Sequence, residues 1–232
     1  MKIFILAGGF GTRLKSVVSD VPKPMAPINN KPFLTYQVSE IGEYFPNSHI
    51  YILTYYLSEI IEDFFKNYKN VTVLKENEPL GTGGSIKNAI IELGLHKNDS
   101  ILVFNGDTYI KPNLKLLIES SLDDVNILAS MEKNCDRYGT LDIKGTKLMS
   151  FNEKKKGVTN SYINAGCYYF KNLLFFKDIK IRKFSIEDEF TKYISLNNSI
   201  GTFKYNNVFI DIGIPSDYQK MENYIVNGNN NG

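Results

Sequence analysis

Residues 2–14 read KIFILAGGFGTRL and residues 22–25 read PKPM. Residues 3–6 are a short apolar run of the kind that forms a buried strand. Gly8, Gly9 and Gly11 follow it closely. Glycines this dense let the backbone take positive φ and approach a ligand with no Cβ in the way. Their successive N–H groups can form a concave anion nest. Arg13 adds a planar fork of donors suited to phosphate oxygens. Lys23, held between Pro22 and Pro24, adds a second cation on a stiffened backbone. A strand, a glycine-rich turn and two cations make a site for a polyphosphate, at the carboxyl end of a strand where open α/β sheets bind ligands.

Two common phosphate-binding patterns are excluded. The run G-x-x-x-x-G-K-[ST] occurs nowhere in the chain. The dinucleotide fingerprint G-x-G-x-x-G is met by Gly9 and Gly11, but Leu14 stands where its third glycine belongs, which disfavours a dehydrogenase.

The rest of the chain supports an α/β fold. Leu34, Val38, Ile41 and Phe45 recur at helical spacing, so residues 31–45 read as an amphipathic helix. Residues 50–54 read as a strand, 61–68 as a helix, 71–74 as a strand, 85–93 as a helix and 100–104 as a strand. This alternation marks βαβ units and a mainly parallel sheet, a single Rossmann-like mixed sheet with helices on both faces. Beyond Asp107 the rhythm changes. A short helix after Pro112 gives way to strands over 127–131, 140–143, 147–151 and 162–170, with Gly145 at a turn. Ser185 and Asp188 resemble a capping box that opens a helix through Ile194. Strands over 201–205 and 208–210 and a closing helix after Pro215 complete one domain, 1–226, with a flexible polar tail, 227–232.

Composition narrows the function classes. With 232 residues, 43% hydrophobic and 22% charged, the chain suits one soluble globular domain. A net charge of +2 with both signs dispersed gives no basic face for nucleic acid. Cys135 and Cys167 lack metal-type spacing and read as reduced thiols of a cytoplasmic protein. His49 and His96 have no companions that would make a zinc site or a Ser-His-Asp triad. No apolar stretch approaches the roughly 20 residues of a membrane span, and the N-terminus lacks a signal-peptide layout.

Two aspartates sit where a metal would be useful. Asn105-Gly106-Asp107 follows an apolar strand, and Asp211 in Phe209-Ile210-Asp211-Ile212-Gly213 has the same layout. A carboxylate there can hold Mg²⁺, a hard cation that leaves room for phosphates. An Asp beside a Gly is also a common turn-former, so each position alone leaves both readings open.

LAGGFGTRL followed by PKPM resembles the signature of the sugar-nucleotide pyrophosphorylases, nucleotidyltransferases that join an NTP to a sugar 1-phosphate. The resemblance spans residues 3–218. The segment Ser16-Val17-Val18-Ser19-Asp20 with its following prolines looks especially like the D-glycero-α-D-manno-heptose 1-phosphate guanylyltransferases. The resemblance implies that Arg13 and Lys23 are catalytic, meeting pyrophosphate charge and the NTP phosphates. It implies that Leu6, Ala7, Gly8, Gly9, Gly11 and Thr12 bind nucleotide with Pro79, Gly81 and Thr82 of the Glu78-Pro79-Leu80-Gly81-Thr82-Gly83-Gly84 loop, while Glu76 reaches the base edge. Tyr138-Gly139, Glu153-Lys154 and Asn164 match the family's sugar-binding motifs, which puts Glu153 and Asn164 on hydroxyls and Lys154 on the sugar phosphate. By the same likeness Asp107 serves both the sugar phosphate and, with Asp211, Mg²⁺. The implied partners are small-molecule substrates, with neither nucleic acid nor membrane; a homo-oligomer is compatible with the sequence. GTP and a heptose 1-phosphate are the expected substrates. Hexose 1-phosphates with other NTPs stay open, and so does a non-catalytic nucleotide-sugar-sensing subunit of the same fold.

Overall fold

The computed structural model describes residues 1–14, 17–18 and 20–229. Lys15, Ser16, Ser19 and residues 230–232 lie outside the described residues, and with them part of the 16–20 segment and the end of the expected tail.

Strand β1 (Lys2–Leu6) is followed by a small ribbon of β2 (Pro27–Ile28) and β3 (Lys31–Pro32). Helix α1 (Phe33–Tyr44) starts two residues later than the periodicity suggests. Pro32 holds the extended φ/ψ of −56° and 137° at its N-cap, and Lys31 is spent on the ribbon. Then come β4 (Ile50–Thr54), α2 (Ser58–Phe65), β5 (Val71–Lys75), α3 (Gly81–Glu92) and β6 (Ile101–Asn105). Helix α3 begins at Gly81 and not at Ser85. The Phe184 carbonyl accepts from the Gly83 and Gly84 N–H groups, so its cap comes from about a hundred residues away and leaves no local signal.

The second half begins with β7 (Thr108–Ile110), a strand the sequence reading missed, and α4 (Leu114–Glu119). Long strands β8 (Val125–Asn134), β9 (Thr140–Lys144), β10 (Lys147–Asn152) and β11 (Thr159–Phe170) come next. Helix α5 (Ile186–Ser195) opens on the expected cap, with the Asp188 N–H donating to Ser185 Oγ at 3.1 Å. Strands β12 (Ile200–Tyr205) and β13 (Phe209–Asp211) lead into α6 (Pro215–Asn229), which runs past the boundary expected at 226.

Nine strands form one mixed sheet in the order β5-β4-β1-β6-β11-β8-β12-β10-β9. The first four are mutually parallel. Strand β11 then runs antiparallel to β6 and β8 and also touches β9, so the far end of the sheet curls back on itself. Side chains of β1 alternate between two cores. Ile3 and Ile5 share one with Leu34 and Val38 of α1 and Leu114 and Leu117 of α4. Phe4 shares the other with Ile86 and Ala89 of α3 and Phe190 of α5. Each fully buried Val, Leu, Ile or Phe side chain among them contributes about 1.5–3 kcal/mol. A third cluster seats Met221 of α6 against Leu14, Phe33 and Ile212, anchoring the chain beside Arg13.

Candidate active site

The carboxyl end of β1 shows why glycine is required there. Gly11 has φ +59°, and a Cβ on it would lie 2.9 Å from Lys23 Cβ, so only glycine lets the lysine segment come this close. A Cβ on Gly106 would lie 2.6 Å from the Leu6 carbonyl, to which the Gly106 N–H itself donates at 2.9 Å. Thr12–Leu14 forms a 3₁₀ turn whose Leu14 is buried, leaving Arg13 exposed. Lys23 opens a second 3₁₀ turn, Lys23–Met25, preset by its flanking prolines.

These segments border a cleft of ≈ 500 Å³. Its walls include Leu6, Ala7, Gly8, Gly9, Gly11, Thr12, Arg13 and Lys23 from the opening segment, Glu76, Pro79, Gly81 and Thr82 from the second loop, and Asp107. The cleft also takes in Phe10, Pro24, Leu80, Ser85, Asn105, Lys183 and Gly213, none of which the sequence marks as a site residue. Lys183 is brought there by the pairing of the Phe184 backbone with Leu80 and Gly83, a long-range contact without a sequence signature.

Asp107 lines this cleft, and Asp211, which is not one of its wall residues, is joined to it behind the wall. The β7–β13 pairing sets Asp211 opposite Thr108, and the Ile212 N–H donates to the Asp107 carbonyl at 3.0 Å. Between the carboxylates lies the Lys23 ammonium, 2.6 Å from Asp107 Oδ2 and 3.2 Å from Asp211 Oδ1. Arg137 donates to Asp211 Oδ2 at 3.3 Å and is itself paired with Asp217. Two hard-oxygen donors converging on one positive charge beside an open cleft fit Mg²⁺, which uses one or two carboxylates and completes its shell with phosphate oxygens and water. Among the described residues no cluster of three or more His, Cys, Asp or Glu offers an all-protein metal cage.

Glu76 is buried in the cleft wall, 6% exposed. Burial pushes its carboxyl pKa up, against hydrogen bonds from Ser85 and from the Leu80 N–H at 3.2 Å. Part of its acceptor capacity therefore serves the Pro79-Leu80-Gly81 turn, and only the remainder is available to a base. Gly81 has φ +72°, with a hypothetical Cβ 2.6 Å from the Phe184 carbonyl.

Of the residues expected on the sugar side, Asp107 lines the cleft, whereas Tyr138, Gly139, Glu153, Lys154 and Asn164 do not. Tyr138 packs edge-on against Phe209 under Arg137, and burial raises its phenol pKa. A Cβ on Gly139 would lie 2.7 Å from the Asn152 carbonyl, so the turn lies tight against the end of β10. Glu153 and Lys154 are exposed in the loop after β10. Asn164 donates to Tyr168 Oη at 2.8 Å and to Glu187 Oε1 at 3.2 Å, while its carbonyl accepts from the Gly166 N–H at 3.0 Å.

Known proteins resemble this chain along nearly its whole length. The Nucleotidyl transferase family model matches residues 2–228. A D-glycero-alpha-D-manno-heptose 1-phosphate guanylyltransferase of Aneurinibacillus thermoaerophilus is 36% identical over 228 residues, covering 96% of this chain and 97% of the relative. A protein of the same name from Campylobacter jejuni is 36% identical over 231 residues, covering 94% and 97%. The crystal structure of HddC from Yersinia pseudotuberculosis complexed with GMP-PN superposes with a TM-score of 0.83 at 37% identity, covering 97% of this chain and 99% of that one.

Proposed function

Since the chain belongs to the nucleotidyl transferase family, we propose that this nucleotidyltransferase couples GTP to D-glycero-α-D-manno-heptose 1-phosphate, giving GDP-heptose and pyrophosphate. Full-length likeness to two heptose 1-phosphate guanylyltransferases supports both substrates. The observation that carries the reading is the shared cleft, which gathers the glycine turn, Arg13, Lys23, Asp107 and Glu76 in one ≈ 500 Å³ space.

In this reading a sugar-phosphate oxygen attacks the α-phosphorus of GTP in line with the departing pyrophosphate. The two substrates repel: one unit pair at about 4 Å costs about 4 kcal/mol at an effective dielectric near 20. Positioning and charge neutralisation therefore dominate, and no covalent nucleophile is needed. Backbone N–H groups from Gly8 to Gly11 and the Arg13 guanidinium bind the NTP phosphates and receive charge on the leaving pyrophosphate. Lys23 counters the same charge from the carboxylate side of the cleft. Asp107 and Asp211 would hold Mg²⁺, which when bound supplies further charge neutralisation at the phosphates. Glu153 and Lys154 meet the sugar 1-phosphate from the loop after β10, and Glu76 accepts from the guanine N1–H and N2 amino donors. The product then serves as activated heptose for a surface polysaccharide, capsule or lipopolysaccharide, made from the cytoplasm. Among the described residues no helix is long and apolar enough to cross a membrane.

The test is pyrophosphate release across GTP, ATP, CTP and UTP, each with heptose, mannose and glucose 1-phosphates. GTP with the heptose phosphate should give the highest kcat/KM. Greater efficiency with a hexose phosphate or another NTP would replace the assignment.

A further inference from the structure

Glu187 is an acidic residue at the seam between the nucleotide loop and the sugar-side strand. It lies in the first turn of α5, half-buried. Its Oε1 accepts from Tyr168 Oη at 3.0 Å and from Asn164 Nδ2 at 3.2 Å. Among the described residues its Oε2 has one contact, a long 3.5 Å from the Thr82 hydroxyl, and Thr82 lines the cleft. One oxygen is thus clamped by two donors, while the other keeps acceptor capacity behind Thr82, the wall residue that stands between Glu187 and the cleft.

Charge decides what that oxygen can meet. Both substrates carry phosphates, and a carboxylate near them would repel. The uncharged part of the ligand, a sugar ring with its hydroxyl donors, is what an acceptor-only group at this seam suits. The position agrees. Phe190, one turn beyond Glu187, stacks on Phe151 with ring centroids 6.3 Å apart, and Phe151 is two residues ahead of Glu153. Asn164 is less suited to lead. Both its Nδ2 hydrogens are engaged and its carbonyl already accepts from Gly166, so one lone pair remains.

Resting on the proposed sugar 1-phosphate chemistry, we infer that Glu187 Oε2 is a specificity-determining acceptor for a sugar hydroxyl, with Asn164 and Tyr168 as the residues that position it. In the sequence Glu187 carries no signal of its own, because Ser185 and Asp188 on either side account for the segment as a helix cap.

The experiment is a cycle between Glu187→Gln and single-deoxy analogues of the sugar 1-phosphate. Hydrogen bonds to an ionised group are roughly twice as strong as neutral ones, so KM for the intact sugar phosphate should rise about 10-fold. KM for GTP should stay within about 2-fold. For one deoxy analogue the parent should already carry the loss, and Glu187→Gln should add almost none. A purely structural seam would raise the GTP KM in step through Thr82 and would show equal losses for every analogue; either result overturns the inference. If Glu187→Gln does not fold, Glu187→Asp enters the same cycle, read by calorimetry with a non-hydrolysable GTP analogue. Parent protein inactive with every sugar 1-phosphate would overturn the proposed function itself. An active parent with an additive cycle would overturn only the role of Glu187.

Discussion

Replacing Lys23 by methionine keeps a linear side chain of similar length and deletes the ammonium that lies between two carboxylates. The Lys23 side chain is 8% exposed, against 37% for Asp107 and 14% for Asp211. Truncating one partner of a buried pair typically costs about 3–5 kcal/mol, because the remaining charge is left uncompensated. Solvent reaches Asp107 and reduces that figure, whereas Asp211 keeps Arg137 as a second cation. The expected loss is therefore about 2–4 kcal/mol at neutral pH. For a chain of this size, about 2–4 °C per kcal/mol translates this into a fall in Tm of about 4–16 °C. On the proposed Mg²⁺ site the ion would replace the charge lost beside Asp107 and Asp211, so it should restore more of the Tm in Lys23→Met than it adds to the parent. Circular-dichroism melts of both proteins, in chelator and in excess MgCl₂, read both quantities. Equal Tm values with equal Mg²⁺ responses would refute the idea that Lys23 and a divalent ion compensate the same carboxylates.

Arg13→Ala should leave Tm nearly unchanged, because Arg13 is exposed, while turnover falls about 10²–10³-fold as a transition-state donor is lost. Glu76→Gln tests a buried acid. With the folded pKa raised above the ordinary 4.5, its favourable contribution is present below that value and disappears as pH rises through the folded pKa. The amide should therefore match or exceed the parent in Tm at pH 7, lose that advantage in acid, and show a lower GTP-to-ATP preference in competition assays. Asp107→Asn and Asp211→Asn should each weaken Mg²⁺ binding in calorimetry, and excess EDTA should abolish turnover of the parent.

Local chemistry made the first half of the molecule legible. The β1 strand, its glycine turn and the 3.6-residue periodicities lie within short windows, and every residue expected to bind nucleotide lines the cleft. The Asp107–Asp211 approach could be anticipated only as two similar strand-end layouts; the β7–β13 pairing that joins them is long-range. The sugar side was harder to read. Its motifs fix Tyr138, Glu153 and Asn164 in order along the chain, but the curl of β9 onto β11 and the docking of α5 decide which of them face a ligand. Glu187 illustrates the difficulty, since its partners Thr82, Asn164 and Tyr168 come from two other elements. Early entry into α3 was hidden for the same reason, its cap being the carbonyl of Phe184.

Following the phosphorus atoms of GTP tests the proposed reaction most directly. With α-labelled GTP and D-glycero-α-D-manno-heptose 1-phosphate, label should move into a GDP-sugar. With γ-labelled GTP it should appear in pyrophosphate, in equal molar amount. Label from the γ position in free phosphate, or α label that never joins the sugar, would contradict guanylyl transfer.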